Sequence, residues 1–490
     1  MHGAPERGLF ACMVSLRCWQ PYDQVESMIK PEGFTSRIGI IGGGASGSVL
    51  AACLLRRVGP DTEIVLIEKR KEIGRGLAFS TWDPNHLLNV RAGNMSAYAD
   101  QPDHFYEWLQ NHGPGHGIGC PTRFCFVPRG VYGEYLSGLL QDVPNSQQLR
   151  IIQDECVNVA SAANCVSLQF ASGDSLAVDH CVLATGNEQR PPLLTERGEN
   201  PWAAGVLDRI EDDATLLAIG TGLTMVDAVL SLYRRGHRGK IIAVSRRGLL
   251  PHTHQMVKAR KLDAADVPFG APISFLTHWV RQMARTATKE GQDWRSTIDS
   301  LRPHTQELWK RMSLDQRSRF LRHARPWWNV VRHRMAPQIA DLIENLIAEG
   351  RLRVVAAHIV DAKREGDKIT ASLFLRGEHK TETITVASIL ECTGLPDDPR
   401  YSANPAIVSL YAAGQIRSGP LAIGLDLDDR CAVIDAKGSV SARLFAIGPL
   451  TRGVFWESIA LPDIRNQCAN LATLLADRLN TARQELPLTN

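Results

Sequence analysis

Cysteine is sparse in this chain, with 11 in 490 residues and no CxxC pair or zinc-ligand spacing among them. That excludes a disulfide-built scaffold and a structural zinc site, and it suits a reducing cytoplasm. Excess charge of one sign is missing too. Fifty-five Lys and Arg face 52 Asp and Glu without a long block of either, which excludes a polyanion-coating protein or a charged disordered tail. Long apolar runs are almost absent. Ile38 to Leu55 is free of charge for eighteen residues but contains five glycines, so it reads as strand, turn and helix and not as a membrane span. The short run Leu9–Leu16 follows Glu6 and Arg7 and lacks a small-residue cleavage pattern, so it reads neither as a leader nor as a span. Residues 1–36 are expected to be a loosely attached, poorly ordered extension, and no membrane contact is expected. The remainder, 44% hydrophobic and 22% charged, is long enough for two or three domains with full cores.

The most informative segment is Arg37 to Gly47. An apolar strand, Ile38–Ile41, runs into Gly42-x-Gly44-x-x-Gly47, and a helical pattern follows through Val49, Leu50, Cys53 and Leu54. In such a turn Gly42 permits the tight bend, Gly44 admits a pyrophosphate to the backbone, and Gly47 lets the helix pack on its strand. Free amides and the helix dipole then meet the phosphate charge. A second strand beginning at Glu63 ends at Glu68, 21 residues after Gly47. A carboxylate there accepts hydrogen bonds from ribose hydroxyls and favours an unphosphorylated adenosine such as that of FAD.

A second unit begins 178 residues after the first. The strand Thr215–Ile219 leads into Gly220-x-Gly222, and a helix runs from Val226 to about Tyr233. Met225 replaces the third glycine, so helix and strand are expected to pack less closely. The next strand, Lys240–Val244, ends in Ser245-Arg246-Arg247. A neutral residue followed by two guanidinium groups suits a 2′-phosphate and favours NADPH, with NADH also possible. Two dinucleotide turns imply two dinucleotides, and the natural partner of a bound FAD is a nicotinamide that reduces it.

Two apolar strands ending in Thr-Gly, at Cys181–Gly186 and Leu390–Gly394, frame the second unit as an insertion. The expected fold is α/β, with two Rossmann-like dinucleotide-binding domains, the second nested in a discontinuous FAD domain. Residues 37–213 and 391–490 form the FAD domain. Residues 214–390 form the NAD(P)H domain, with a helical insertion over 255–350. A last strand, Leu444–Ile447, precedes a helix starting near Pro462.

These segments resemble the two-dinucleotide-binding-domain flavoproteins, the group of flavin monooxygenases and pyridine-nucleotide disulfide reductases, and within it an FAD/NAD(P)-binding protein family. The likeness rests on Gly74–Ser80, His86–Val90 with Met95 and Ser96, and Pro102–Phe105 with Trp108. It continues through Gly220–Asp227, Val244–Pro251, Arg325–Trp328, Arg332–Arg334, and Ala446–Leu450 through Arg465. The resemblance implies an FAD-dependent NAD(P)H oxidoreductase. The expected reaction is hydroxylation of a small nitrogen-containing or heterocyclic substrate by O2 through a C4a-(hydro)peroxyflavin, with a urate-like heterocycle as one candidate. Two alternatives stay open: a flavin dehydrogenase or reductase serving an organic or protein acceptor, and a redox sensor that binds FAD and NADPH without turnover. Expected cofactor contacts are Gly42, Gly44, Ala45, Ser46, Gly47, Glu68, Lys69, Arg75, Asn89, Val157, Thr185, Gly186 and Gly448. For the nicotinamide they are Gly220, Gly222, Thr224, Ser245, Arg246 and Arg247.

Departures from the group's patterns narrow the chemistry. Residues 70–100 hold no cysteine, where disulfide reductases of this fold carry their active pair. Cys120 and Cys125, about 50 residues past Glu68, are not expected to form a redox-active pair. Pro449 stands where many relatives place an aspartate on the flavin's ribityl chain, so that contact must differ. Within 302–334 nine Lys and Arg outnumber Glu307 and Asp315, and tryptophans at 294, 309, 327 and 328 are interleaved. The insertion reads either as a basic cap with a small tryptophan core or as a lid whose arginines grip substrate or phosphate. The near-balanced overall charge argues against nucleic acid. Candidate catalytic side chains are Asn89 and His86, which follow the FAD acid by about twenty residues, and His333 between two arginines. His252 and His254 are candidates to line a nicotinamide cleft. No metal is expected.

Overall fold

The computed structural model describes residues 30–81, 83–112, 119–188, 194, 198–394 and 398–484. Its strands are, in chain order, β1 (Ser36–Ile41), β2 (Thr62–Ile67), β3 (Leu149–Ile152), β4 (Cys156–Ser161), β5 (Val166–Phe170), β6 (Ser175–Val178), β7 (His180–Leu183), β8 (Gly198–Glu199), β9 (Leu216–Ile219), β10 (Ile241–Ser245), β11 (Leu352–Glu365), β12 (Lys368–Leu375), β13 (Lys380–Val386), β14 (Ser388–Glu391), β15 (Ala432–Ile434) and β16 (Val440–Ala446). The α-helices are α1 (Ala45–Leu55), α2 (His104–His112), α3 (Arg129–Gly138), α4 (Leu223–Arg234), α5 (Ile273–Lys289), α6 (Arg295–Ser300), α7 (Thr305–Arg311), α8 (Leu314–Arg319), α9 (Arg325–Arg332), α10 (Pro337–Ala348), α11 (Pro405–Ala412) and α12 (Leu461–Gln484).

The first sheet has the order β15-β16-β7-β1-β2-β3 and is parallel except for β15 against β16. Its central strands are buried on both faces: all of β2 and all of β1 after Ser36. That is why they read as unbroken apolar runs without alternation. On one face lies α1, ten of whose eleven residues are buried, packed with Cys468, Leu471, Ala472 and Leu475 of α12. The other face is covered by the small antiparallel sheet β4-β5-β6 and by α11. One charged pair crosses this core. Arg37 and Glu63 are paired in register between β1 and β2 and are both buried, and Arg37 also donates to Ala177 O at 3.0 Å.

The second sheet has the order β13-β12-β11-β10-β9-β14-β8. β11 changes partner along its length. Leu352–Ala356 pair parallel with β10, and from Ala357 onward the strand pairs antiparallel with β12. Met225 is fully buried in the core beneath this sheet, so its side chain fills the space that the missing third glycine opens beneath α4. α4 starts at Leu223, directly after Gly222 and earlier than the apolar pattern from Val226 suggests.

Because the first sheet takes β15 and β16 from beyond the second, the second unit is nested in the first. The helices α5 to α10 all lie between β10 and β11. Residues 1–29 of the expected extension lie outside the described residues, whereas Lys30 pairs with Asp179 at 2.8 Å. Among the described residues no helix is long and apolar enough to cross a membrane, and no group of three or more His, Cys, Asp or Glu is placed to hold a metal ion.

Candidate cofactor and active site

The bend after β1 is dictated by how closely three backbone segments meet. Gly42 has φ 107°, and a Cβ on it would lie 2.4 Å from Ala184 O at the exit of β7. At Gly47 a Cβ would lie 1.8 Å from Gly42 O, so α1 is seated directly on the turn. The turn opens onto a long cleft whose lining includes Gly42, Gly44, Ala45 and Ser46, and then Glu68 to Arg70 at the end of β2. Glu68 is held from two sides: Oε2 accepts the Gly43 amide at 2.9 Å and Oε1 accepts the Arg70 amide at 3.0 Å. Lys69 pairs with Glu155 at 2.8 Å, which brings Asp154 to Cys156 to this end of the cleft.

Arg75 lines the cleft farther along, buried, with Glu72 at 3.2 Å and Gly130 O at 3.3 Å. Across from it lie Thr185 and Gly186, and Thr185 Oγ1 is buried without a hydrogen-bond partner. Pro449 also lines the cleft, while the Gly448 amide donates into the protein, to Gln467 Oε1 at 2.8 Å. The rest of the lining is largely apolar, with Leu77, Phe79, Ile459, Leu461 and Ile464, and includes the amides of Asn187 and Asn404. Val157 lies behind the cleft, skipped by a bulge in the β4–β5 register between Cys156 and Asn158. The structure thus gathers most of the expected FAD contacts into one cavity. Gly47, Val157 and Gly448 abut it without lining it.

At the second turn Gly220 and Gly222 open α4 as Gly42 and Gly44 open α1. Thr224 is half-buried in the first turn of α4. Ser245 Oγ is engaged by Thr221 Oγ1 at 2.9 Å and by the Gly248 amide at 3.0 Å, which fixes the loop that presents Arg246 and Arg247. Arg376, beyond the end of β12, donates to Arg246 O at 3.2 Å.

The histidines and Asn89 differ from expectation. His86 is buried and outside the cleft. Its Nδ1 meets Thr81 Oγ1 at 2.7 Å, and its Nε2 meets Ser231 Oγ at 2.9 Å and Asp227 O at 3.1 Å. Nε2 therefore serves a joint between the first unit and α4, while Nδ1 is held locally. Arg129 completes that joint with a bidentate pair to Asp227 at 2.8 and 3.1 Å. Asn89 also falls outside the cleft lining, and its carbonyl takes His254 Nε2 at 3.0 Å. Burial pushes His254 down to about 4, with neighbouring guanidinium groups adding to the shift, so it is neutral. His252 packs its ring on Trp294. His86, Arg129 and Asn89 tie the two units together through partners 98 to 165 residues away, which no local pattern shows.

The insertion's tryptophans divide between packing and polar roles. Trp309 is buried, stacks on Trp456 with centroids 4.6 Å apart, and donates to Gly453 O. Trp328 donates from Nε1 to Glu457 Oε1 at 2.7 Å. Glu457 is buried in a left-handed conformation, φ 71°, with Arg332 at 3.4 Å and His333 at 3.9 Å. Burial alone would raise the Glu457 carboxyl, but His333, Arg332 and the Trp328 N–H outweigh it and hold it below its ordinary value. His333 is lowered chiefly by its own burial; Glu457 opposes the fall, and the guanidinium groups of Arg332, Arg302 and Arg325 add to it. Sequence reasoning found His333 but missed Glu457, which carries no motif around it.

Cys120 and Cys125 are joined as a disulfide, Cα–Cα 5.7 Å, a pairing their spacing did not lead us to expect. The bridge is not part of the cleft lining. Burial pushes the Cys156 thiol up to about 12.

Residues 39–188 match a family model described as FAD-NAD(P)-binding. That match covers the first turn and its strands, and the two nested sheets with their paired turns give the chain a two-dinucleotide-binding-domain fold. Among curated proteins none matches the sequence. Similar solved structures include L-lysine 6-monooxygenase from Pseudomonas syringae, 16% identical, TM-score 0.62, with 90% of this chain and 99% of that one covered. The reduced form of ornithine hydroxylase from Pseudomonas aeruginosa is 15% identical, TM-score 0.60, covering 91% and 100%. The FAD-bound cadaverine monooxygenase of desferrioxamine biosynthesis from Erwinia amylovora is 13% identical, TM-score 0.57, covering 90% and 93%. At such identities these likenesses define the fold.

Proposed function

We propose that this protein is an FAD-dependent NADPH oxidoreductase that hydroxylates the nitrogen of a small amine with O2. The observation that carries the reading is the lining of the cleft. Among its described residues the one sulfur is Cys156, beside Asp154 and Glu155, while the opposite end is walled by Phe79, Ile459, Leu461 and Ile464. A flavin ring seated there meets no thiol that would relay its electrons to a disulfide, whereas an apolar wall excludes water. The names borne by proteins of the same fold, ornithine hydroxylase, lysine 6-monooxygenase and cadaverine monooxygenase, support an amine as substrate. None of them supports the urate-like expectation.

The cleft fits FAD. Glu68, oriented by two amides, would accept ribose hydroxyls, and the amides of Gly44 to Ser46 would hold the pyrophosphate. The unpartnered Thr185 Oγ1 offers a further polar contact. Bound there, FAD would supply hydride acceptance and oxygen activation. The chain's own part is to hold the dinucleotide, keep the ring end dry and bring a nicotinamide to it. Gly220, Gly222 and Thr224 would take the NADPH pyrophosphate, and Arg246 and Arg247 its 2′-phosphate. None of the three expected catalytic side chains lines the cleft; His333 alone stands beside a carboxylate, 3.9 Å from Glu457 Oε2, a contact suited to sharing a proton. His86 and Asn89 act instead as positioning residues between the units.

The test is to mix the FAD-bound protein with NADPH under anaerobic conditions and then admit oxygen. Bleaching followed by a slowly decaying absorbance band, distinct from oxidised and reduced flavin, supports the reading. Prompt peroxide release, or reoxidation only by an added acceptor, establishes the dehydrogenase or reductase instead. Failure to bleach at all leaves the sensor.

A further inference from the structure

A second cavity, of about 630 Å³, lies between the helical insertion and the first unit. It shares no lining residue with the cofactor cleft. The two stand back to back across the first turn of α12: Leu461 and Ile464 face the cleft, and Pro462, Asp463 and Arg465 face the cavity.

Three charged groups lining this cavity carry unsatisfied atoms, although Arg465 Nη1 donates to Ser96 O at 3.1 Å and Asn94 O at 3.4 Å. Arg302 Nη2, Arg465 Nε and Asp463 Oδ2 are each buried without a hydrogen bond. Each such group costs about 1–3 kcal/mol or more while it stays unsatisfied, so folded proteins seldom keep several together unless something completes them. Burial depresses the Arg302 guanidinium to about 10, and the nearby Arg332 adds to the shift. Burial raises the Asp463 carboxyl to about 6. Lys310 and Arg430 add two exposed cations to the lining and Asp429 one exposed anion. Four cations therefore face two anions, and the cavity attracts negative charge.

We infer that this cavity binds a small organic acid whose carboxylates meet Arg302 and Arg465 and whose neighbouring hydroxyl donates to Asp463 Oδ2. A guanidinium group complements a carboxylate in charge and in its fork of donors. An unpartnered carboxylate oxygen among arginines calls for a donor on the same ligand, and a neutral polyol or a simple cation supplies only half of that pattern. The size suits a compact ligand, since small-molecule sites span about 300–1,000 Å³. The inference stands apart from the proposed reaction, because no lining residue is shared and no electron transfer is needed.

Calorimetric titration of the FAD-bound full-length protein with three probes tests it. L-malate carries carboxylates and a hydroxyl, succinate carboxylates only, and erythritol hydroxyls only. Malate should bind about 10-fold tighter than succinate, the worth of one charged hydrogen bond, and erythritol should not bind. Asp463→Ala should bring malate to the level of succinate without weakening succinate, and Arg302→Ala should abolish both. Should Arg302→Ala fail to fold, Lys310→Ala with Arg430→Ala, both exposed, should weaken both acids several-fold at low salt. The assignment is overturned if neither acid binds, if erythritol binds equally, or if the arginine and lysine variants bind as the parent does. Binding is read without NADPH or oxygen, so a negative result here and a failed bleaching experiment refute different claims.

Discussion

Replacing Gly47 with alanine should separate seating α1 from contacting the cofactor. The added Cβ would stand 1.8 Å from Gly42 O, far inside any real carbon–oxygen contact. Neither partner is free to yield. Gly42 is itself pressed against Ala184 O, and the body of α1 is buried between sheet and α12. Relief requires α1 to rise off β1 by more than an ångström along its length. Ordinary overpacking costs about 1–3 kcal/mol, and a backbone clash of this size lies at or above the top of that range. For a unit of this size about 3 kcal/mol corresponds to a fall of roughly 6–12 °C in Tm. Because the amides that face the pyrophosphate ride on the same turn, FAD should be lost as well. Gly44→Ala is the control. Its Cβ meets Gly76 Cα at 3.2 Å across the cleft, so it should lower FAD occupancy with little change in the stability of the cofactor-free protein. Flavin absorbance per protein, with Tm measured on stripped and loaded samples, reads both. A Gly47→Ala protein that retains full FAD and an unchanged Tm would refute the seating argument.

Arg246→Ala with Arg247→Ala should raise KM for NADPH by about 10–100-fold and leave NADH within about threefold; equal effects on the two donors would remove the 2′-phosphate assignment. Arg129→Ala should destabilise the protein by about 2–4 kcal/mol in urea unfolding, because it leaves the buried Asp227 carboxylate without its bidentate partner. Between pH 6.5 and about 4 stability should fall as pH falls, since His254 and His180 stay neutral when folded but take protons when unfolded. Each contributes up to about 3 kcal/mol, fully present above pH 6.5 and lost on approach to pH 4, so His254→Gln should flatten the acid limb of a pH–stability curve. Asp463 works in the opposite sense, taking up its proton near pH 6 in the folded state and stabilising it on acidification. Asp463→Asn should therefore steepen that same limb.

What could be read in advance was whatever local spacing controls. The bend at Gly42, the seat at Gly47 and the acid at Glu68 each follow from a strand, a turn and a helix adjacent in sequence, and each lines or abuts one cleft. The buried Arg37–Glu63 pair escaped because nothing in an apolar strand pattern announces that two charges will meet in register. His86 and Asn89 lie at the expected distance after Glu68, but their partners Ser231 and His254 sit 145 and 165 residues away, so the joint they make is a product of docking. Glu457 and Asp463 gain their surroundings from arginines more than a hundred residues upstream, brought near only when the insertion packs on α12. Tryptophan spacing alone left two readings of that insertion open, and its side chains serve both packing and polar contact.

α4 opens at the Gly220–Gly222 turn while its flank is clamped to the other unit. Asp227, five residues past Gly222, is gripped by Arg129, and Ser231, one turn farther on, is gripped by His86. Swinging this helix aside would strip a guanidinium fork and an imidazole bond in the same instant, so the second turn is yoked both to α3 and to the segment around His86.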